Sequence, residues 1–432
     1  MDGGGISAWL TRRNIIIGAI ALVVVVGVIV TTVLFRARMS GPTATGPQTV
    51  TGAPVLSAAA MLTADDARRL DDKTTWAETL TQTRADSNAP RPNCLTTDAQ
   101  GVPLPQATMI RNIQGGGDPN TNLLNEAVQF ASAQDATTAA AIWTAQLGGC
   151  ERPVSYLEGG WTVSNVGDSS AGVSAIVQDK TSVHHTVMLS RSGSVITIVD
   201  ASKPNTTPDG AVVAGLLGTA VGRTCHAAGG ACPTDPTASA GIPPKTAANP
   251  EFLATADLPR ITAGTGRWGA TDPSTSFDFI GSQCEGKDLA NVAGPTARKH
   301  RAYLLQEDAA APQTFGVDEY VLTFPDRASA DSLVKDISGS IDGCEKAMLT
   351  AKVQKTDDLA APGAGGKDVT GRTWVVTQQV NQTSKQKYRL ALAQVDNTVI
   401  YLLAPTGDSF DFDNGQWKSI GDRSGVRLSL TL

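Results

Sequence analysis

FASAQDATTAAAIWTAQLGGC, residues 130–150, runs from an apolar strand end through a helical stretch to a Gly-Gly stop and a cysteine. FPDRASADSLVKDISGSIDGC, residues 324–344, repeats the arrangement. Aligned on their cysteines, Phe130 and Phe324 each stand 20 residues upstream. In the first stretch Ala136, Ala140, Trp143 and Leu147 fall at i, i+4, i+7 and i+11, and Ala330, Val334, Ile337 and Ile341 take the same places in the second. That spacing puts an apolar stripe on one helix face. Asp135 and Asp326 near the starts, and Gly148, Gly149 and Gly343 near the ends, are boundary signals.

The match extends both ways. Upstream, MLTADDARRL (61–70) resembles FLATADLPRI (252–261); Trp76 and Trp268 follow, then Cys94 and Cys284. Downstream, SAIVQD (174–179) and TWVVTQQV (373–380) read as strands. TVMLSRSGSVITIVD (186–200) and YRLALAQVDNTVIYLLA (388–404) each read as two strands about a polar turn, a hairpin signal. The self-similarity predicts two tandem copies of one α+β domain, at 54–225 and 250–432. Each is an antiparallel sheet flanked by an N-terminal helix and a middle helix. GAVVAGLLGTAVGRTC (210–225) predicts a last helix in the first copy. Its counterpart after Trp417 reads as less helical and ends in a strand-like VRLSLTL. Residues 226–249, rich in Gly, Pro and Ala, read as a poorly structured linker.

Before the copies, Ile15–Phe35 holds no charge over 21 residues. At about 1.5 Å per residue these span ~30 Å as a helix, the thickness of a bilayer's hydrocarbon core. A cleaved signal peptide has a shorter apolar core and a small-x-small cleavage site; here RARM follows the run. The expectation is an uncleaved transmembrane helix at 14–35, a cytoplasmic tail at 1–13 and a flexible Gly/Pro/Thr stalk at 36–53. Arg12 and Arg13 on one side and Arg36 and Arg38 on the other leave the positive-inside count tied.

Six cysteines, with no CxxC pair, settle the side. Behind a membrane anchor they imply disulfides and the oxidising compartment, so everything after Phe35 is placed outside the cell, as a single-pass protein. The repeat pairs Cys94 with Cys150 and Cys284 with Cys344, at separations of 56 and 60. Each loop closure contributes roughly 4 kcal/mol in a chain-entropy model. Cys225 and Cys232 remain, to close a small ring or to stay free or pair elsewhere.

LTADD-type openings, spaced cysteines and an F-x-D-x-x-x-A helix (Phe324, Asp326, Ala330) behind an apolar span and a Thr/Pro/Gly stalk resemble an actinobacterial sensor-domain family. Its reference is the extracellular domain of mycobacterial PknH-type serine/threonine kinases. The resemblance covers both halves of the chain. It implies an antiparallel sheet flanked by helices with a ligand cleft. The chain departs from the family in carrying tandem copies and no kinase domain in its 13 cytoplasmic residues, which puts autonomous signalling in doubt.

Charge and motifs narrow the function. The net charge is −6 and no long Lys/Arg run exists, which speaks against nucleic acid. There is no G-x-S-x-G elbow, HExxH or Walker loop, and GGGD (115–118) lacks the Lys that a phosphate loop needs. The reading is therefore non-catalytic, with no cofactor and no metal. His184 and His185 are adjacent, so in a strand they diverge; an exposed strand start is the simpler reading than a metal or base pair. His226 beside Cys225 and Cys232 has too few co-ligands for a metal site. His300 lies in a basic ARKHR stretch and reads as a solvated strand start. Asp65, Asp66, Asp71, Asp72 and Glu78 read as a solvated acidic face. Asp408, Asp411 and Asp413 alternate on a Gly-flanked loop but lack the terminal Glu of a calcium loop. With aromatics at 5%, Trp76, Trp161, Trp268 and Trp374 are the candidates for lining a cleft, although Trp76 and Trp268 recur at equivalent places, as core residues would. The expected partners are the membrane, through Ile15–Phe35, and an unknown envelope ligand. The alternative is a structural protein docking on a partner membrane protein or the cell wall.

Overall fold

A computed structural model describes residues 56–432, apart from 84–87, 98, 117–120, 153, 314, 380 and 382–383. The apolar run Ile15–Phe35 and the stalk lie outside the described residues. No helix among the described residues is long and apolar enough to cross a membrane.

Two antiparallel sheets carry the fold. The first has eight strands: β1 (Trp76–Gln82), β2 (Ala107–Gly115), β3 (Asn122–Gln129), β4 (Ser155–Ser164), β5 (Ser169–Gln178), β6 (Ser182–Ser192), β7 (Val195–Pro204) and β8 (Thr237–Gly241). Their spatial order is β1-β2-β3-β7-β6-β5-β4-β8. The second sheet has β9 (Arg267–Ala270), β10 (Ala297–Gln306), β11 (Gly316–Thr323), β12 (Ala351–Ala361), β13 (Val369–Gln379), β14 (Lys385–Val395) and β15 (Thr398–Thr406). Read from its β9 edge, the order is β9-β10-β11-β15-β14-β13-β12. Apart from β8, the two orders are the same permutation of seven strands, so the repeat seen in sequence is a repeat of topology.

Each sheet is covered on both faces. Middle helices α1 (Ala133–Gly149) and α3 (Arg327–Ala347) cover one face, and last helices α2 (Gly210–Gly222) and α4 (Asn414–Ser429) cover the other. Ser132 and Asp326 cap α1 and α3 through their side chains. The expected stripes are the buried ones: Ala136, Ala140, Trp143 and Leu147 are buried in the first copy, and Ala330, Ile337 and Ile341 in the second. Cys94–Cys150 and Cys284–Cys344 each tie the end of a middle helix to the loop before β2 or β10, and Cys225–Cys232 closes the small ring.

Three expectations need correction. The strand-like VRLSLTL is the end of α4, which runs to Ser429. Asp413 opens it with a capping box to Gln416. Val426, Arg427 and Leu428 are all buried, because this helix end is enclosed rather than one-sided. Residues 226–249 are not a slack linker: Cys225–Ala228 forms a helical turn, and β8 adds to the first sheet beside β4. The expected N-terminal helix is reduced to single turns, Ala64–Ala67 in the first copy and Thr255–Asp257 in the second.

The described residues pack as one compact unit. Ala256 of the second copy inserts into the α1-side core of the first. Beside it, Asp257 receives Arg427 and Arg423 of α4, at 2.9 and 3.3 Å. Arg427 also donates to the carbonyls of Gly148, at the end of α1, and Pro244. Arg260 binds the backbone and side chain of Gln178.

The first copy has the same pair in a simpler form. Asp66 closes its own helical turn by accepting from Thr63, as Asp257 does from Ala254. Asp66 then pairs with Arg223, which stands as far from the helix cap Asp209 as Arg427 stands from Asp413. Both pairs lie within a single copy, but in the second the arginines reach further, Arg427 to Gly148 and Arg423 to Glu158 of the first copy, and so make the joint.

Candidate functional site

The joint leaves a cavity of about 740 Å³ on the α2-side face of the first sheet. Pockets of roughly 300–1,000 Å³ hold small molecules. Its floor is Glu158–Trp161, within the segment SYLEGGWTVS that forms β4. Its far wall belongs to the second copy: Ala361–Gly363 at the end of β12, and Ser419, Asp422, Arg423 and Val426 on α4.

Glu158 sits at a register break in β4, where Leu157 pairs with Ala175 but Gly159 already pairs with Ser174. A bulge of this kind re-aims one side chain out of the alternating pattern. The second copy holds the bulge open: Arg423 Nη2 donates to the carbonyl of Glu158 at 2.7 Å and to that of Leu157 at 3.4 Å. The Glu158 carboxylate therefore lines the cavity. Its Oε2 accepts from Thr207 Oγ1 at 2.8 Å. His184 Nδ1 stands 2.9 Å from that hydroxyl and 3.4 Å from Oε2.

Beyond the bulge, regular pairing puts Gly159 and Trp161 on the same face as Ser174 and Ala240. Trp161 donates Nε1 to Ser174 Oγ at 2.7 Å, and Ser174 lies 3.3 Å from Thr186, which donates to the carbonyl of Pro208. One side of the indole rests on Gly210, the first residue of α2. A Cβ there would come within 2.6 Å of the ring, so this glycine is required by close approach. At Gly159 a Cβ would meet nothing within 4 Å, and the cavity begins there.

The four tryptophans take different places. Trp161 lines the cavity. Trp76 and Trp268 are buried at equivalent strand starts, each donating Nε1 to a carbonyl of the preceding segment, Asp71 at 3.0 Å and Pro259 at 2.8 Å. Trp374 is fully buried among the α3-side apolar residues and donates to Asp342.

The histidines are not exposed strand starts. His185 binds Asp200 at 2.8 Å, and Asp200 also receives the backbone N–H of Asn93, fixing the loop that leads to Cys94. His300 binds Asp318 at 2.7 Å and stacks on Tyr320. His226 lies beside Cys225 and Cys232, but their mutual bond removes both thiolates from any metal site. Asp411 is engaged by Lys387 and Arg389. Burial pushes its carboxyl up, but those two bonds outweigh it and hold it below the usual range. Asp413 is the α4 cap.

Sequence reasoning missed Glu158, Thr207, Ser174 and the Asp257–Arg423–Arg427 joint. One available signal was EGGW inside a strand-like run, since paired glycines in a strand mark a bulge or a close approach.

No protein-family model matches the chain, and no curated protein does. Among solved structures, the crystal structure of the extracellular domain of PknH from Mycobacterium tuberculosis is similar to it at 16% identity and a TM-score of 0.26. The match covers 37% of this chain and 84% of that one. This is a weak resemblance and carries no argument about function.

Proposed function

We propose that the chain is a membrane-anchored, extracytoplasmic binding protein of the cell envelope that takes a small ligand into the cleft between its two copies, without chemistry. The observation that carries this reading is the cleft itself, a cavity of about 740 Å³ whose floor and far wall come from different copies. Three disulfides suit an oxidising compartment, and the apolar run Ile15–Phe35 is long enough to anchor the chain. The nearest set resembling a catalytic group, Glu158, Thr207 and His184, has the hydroxyl donating to the carboxylate, which suits holding a side chain in place.

The test is native mass spectrometry of the full-length protein extracted from its own envelope. A co-purifying small mass, lost from a Trp161→Ala variant, supports the reading. A bare protein that cross-links to one membrane neighbour, equally well with Trp161→Ala, supports the docking alternative.

A further inference from the structure

The polar groups around the cleft are almost all committed to one another, and the exceptions indicate the ligand. Arg423 spends Nη1 on Asp257 and Nη2 on the two carbonyls of the β4 bulge. Asp422 accepts the backbone N–H of Ala360 and pairs with Lys418. Glu158 Oε2 is taken by Thr207. Two attractions for a positive charge remain open. Glu158 Oε1 has no partner among the described residues, with the side chain 28% exposed. The Trp161 ring, its N–H already bonded to Ser174, borders the open space at Gly159.

From this remainder we infer that the cleft takes an organic cation, a primary amine or quaternary ammonium carried on an apolar body. The inference rests on the cleft being a ligand site. A carboxylate oxygen accepts a charge-assisted hydrogen bond from a protonated primary amine and attracts a quaternary ammonium, which has no N–H, through charge alone. The negative face of an indole attracts the same charge, most strongly where water is excluded. Ile242, Pro243 and Val426 also line it and suit the apolar body. An anionic ligand meets the Glu158 charge, and the Arg423 guanidinium is already ion-paired with Asp257. A polyhydroxylated ligand needs a set of unspent donors and acceptors that this lining does not offer.

The probes are three small molecules of matched shape: 2-phenylethylamine, 2-phenylethanol and 3-phenylpropanoate. The readout is 19F NMR of the full-length protein in detergent, with its seven tryptophans replaced by 5-fluorotryptophan and the Trp161 signal assigned through Trp161→Phe. The amine is expected to shift the Trp161 signal saturably at about 10 mM or below, a range natural for fragments of this size. The alcohol and the acid are expected to leave it in place. Glu158→Gln, with the other six signals unmoved to show an intact fold, should weaken the amine at least about tenfold. If the alcohol or the acid moves Trp161 as strongly as the amine, the cation is overturned while the cleft stands. If the amine binds Glu158→Gln undiminished, the carboxylate's part is overturned. If none of the three moves Trp161, both the cation and the cleft reading fall.

Discussion

Arg427 and Asp257 meet with neither side chain exposed, Nε to Oδ2 at 2.9 Å and Nη2 to Oδ1 at 3.1 Å. The same guanidinium reaches Gly148 of the first copy, so one buried charge pair holds a helix end of each copy. Removing one partner from a buried pair leaves a desolvated charge and costs about 3–5 kcal/mol. Arg427→Met should lower stability by that amount in urea unfolding. Arg223→Met, which breaks the more exposed first-copy pair, should cost about 1 kcal/mol. Equal losses would refute the assignment of Arg427 to the joint. Asp257→Leu added to Arg427→Met should recover part of the loss.

Glu319 gives a pH signature. It is fully buried and accepts from Leu253 N, Tyr303 and Ser424. Burial pushes its carboxyl above the ordinary value of 4.5, despite those bonds. The folded state therefore holds a proton that the unfolded chain releases. Its contribution to stability is present below about 4.5 and is lost as pH rises through the folded value. The first copy carries Asn125 at the matching place, accepting from Leu62 N. Glu319→Gln should keep the bonds and flatten that decline when unfolding is followed from acid to neutral pH. A decline unchanged in Glu319→Gln would show that another group causes it.

The tryptophans should separate by role. Trp374 is fully buried, and Trp374→Ala should cost about 3–5 kcal/mol. Trp161 borders the cleft, and Trp161→Ala should cost about 1–2 kcal/mol, in keeping with partial burial. Thermal unfolding of both variants measures the difference. A larger loss for Trp161 would make it a core residue.

The disulfides should rank by loop length. Unreduced protein should weigh six hydrogens less than its reduced form, from three bonds. Replacing Cys94 and Cys150 together by Ala, across a separation of 56, should cost about 4 kcal/mol. The same change at Cys225 and Cys232, across a separation of 7, should cost about 2 kcal/mol. Intact-mass spectrometry and melting curves check both.

The repeat was legible because each copy's middle helix must bury one stripe and end at its cysteine, which imposes spacing on the residues. The α4 end was misread because Val426 and Leu428 alternate with polar neighbours as a strand would, while the helix is enclosed on several sides and buries Arg427 as well. TASAG at 237–241 carries no aromatic or β-branched run, only one threonine, so its small residues read as linker. It becomes a strand through its neighbour: β4 presents a free edge, and small side chains let β8 lie against α2. The cleft was illegible for a related reason. Glu158 is aimed by a bulge that Arg423 holds from 265 residues away in the chain, and no local pattern reports such a partner.

The place of β8 decides where the chain divides. A cut after Cys225 would strip the first sheet of its last strand, bare the edge of β4 and separate two bonded cysteines. The seam in three dimensions lies later, where Pro244 hands its carbonyl to Arg427. A fragment meant to stand as the first module must therefore carry its own closing strand, and a protease that nicks 226–236 would leave the severed pieces still joined by sulfur or by sheet.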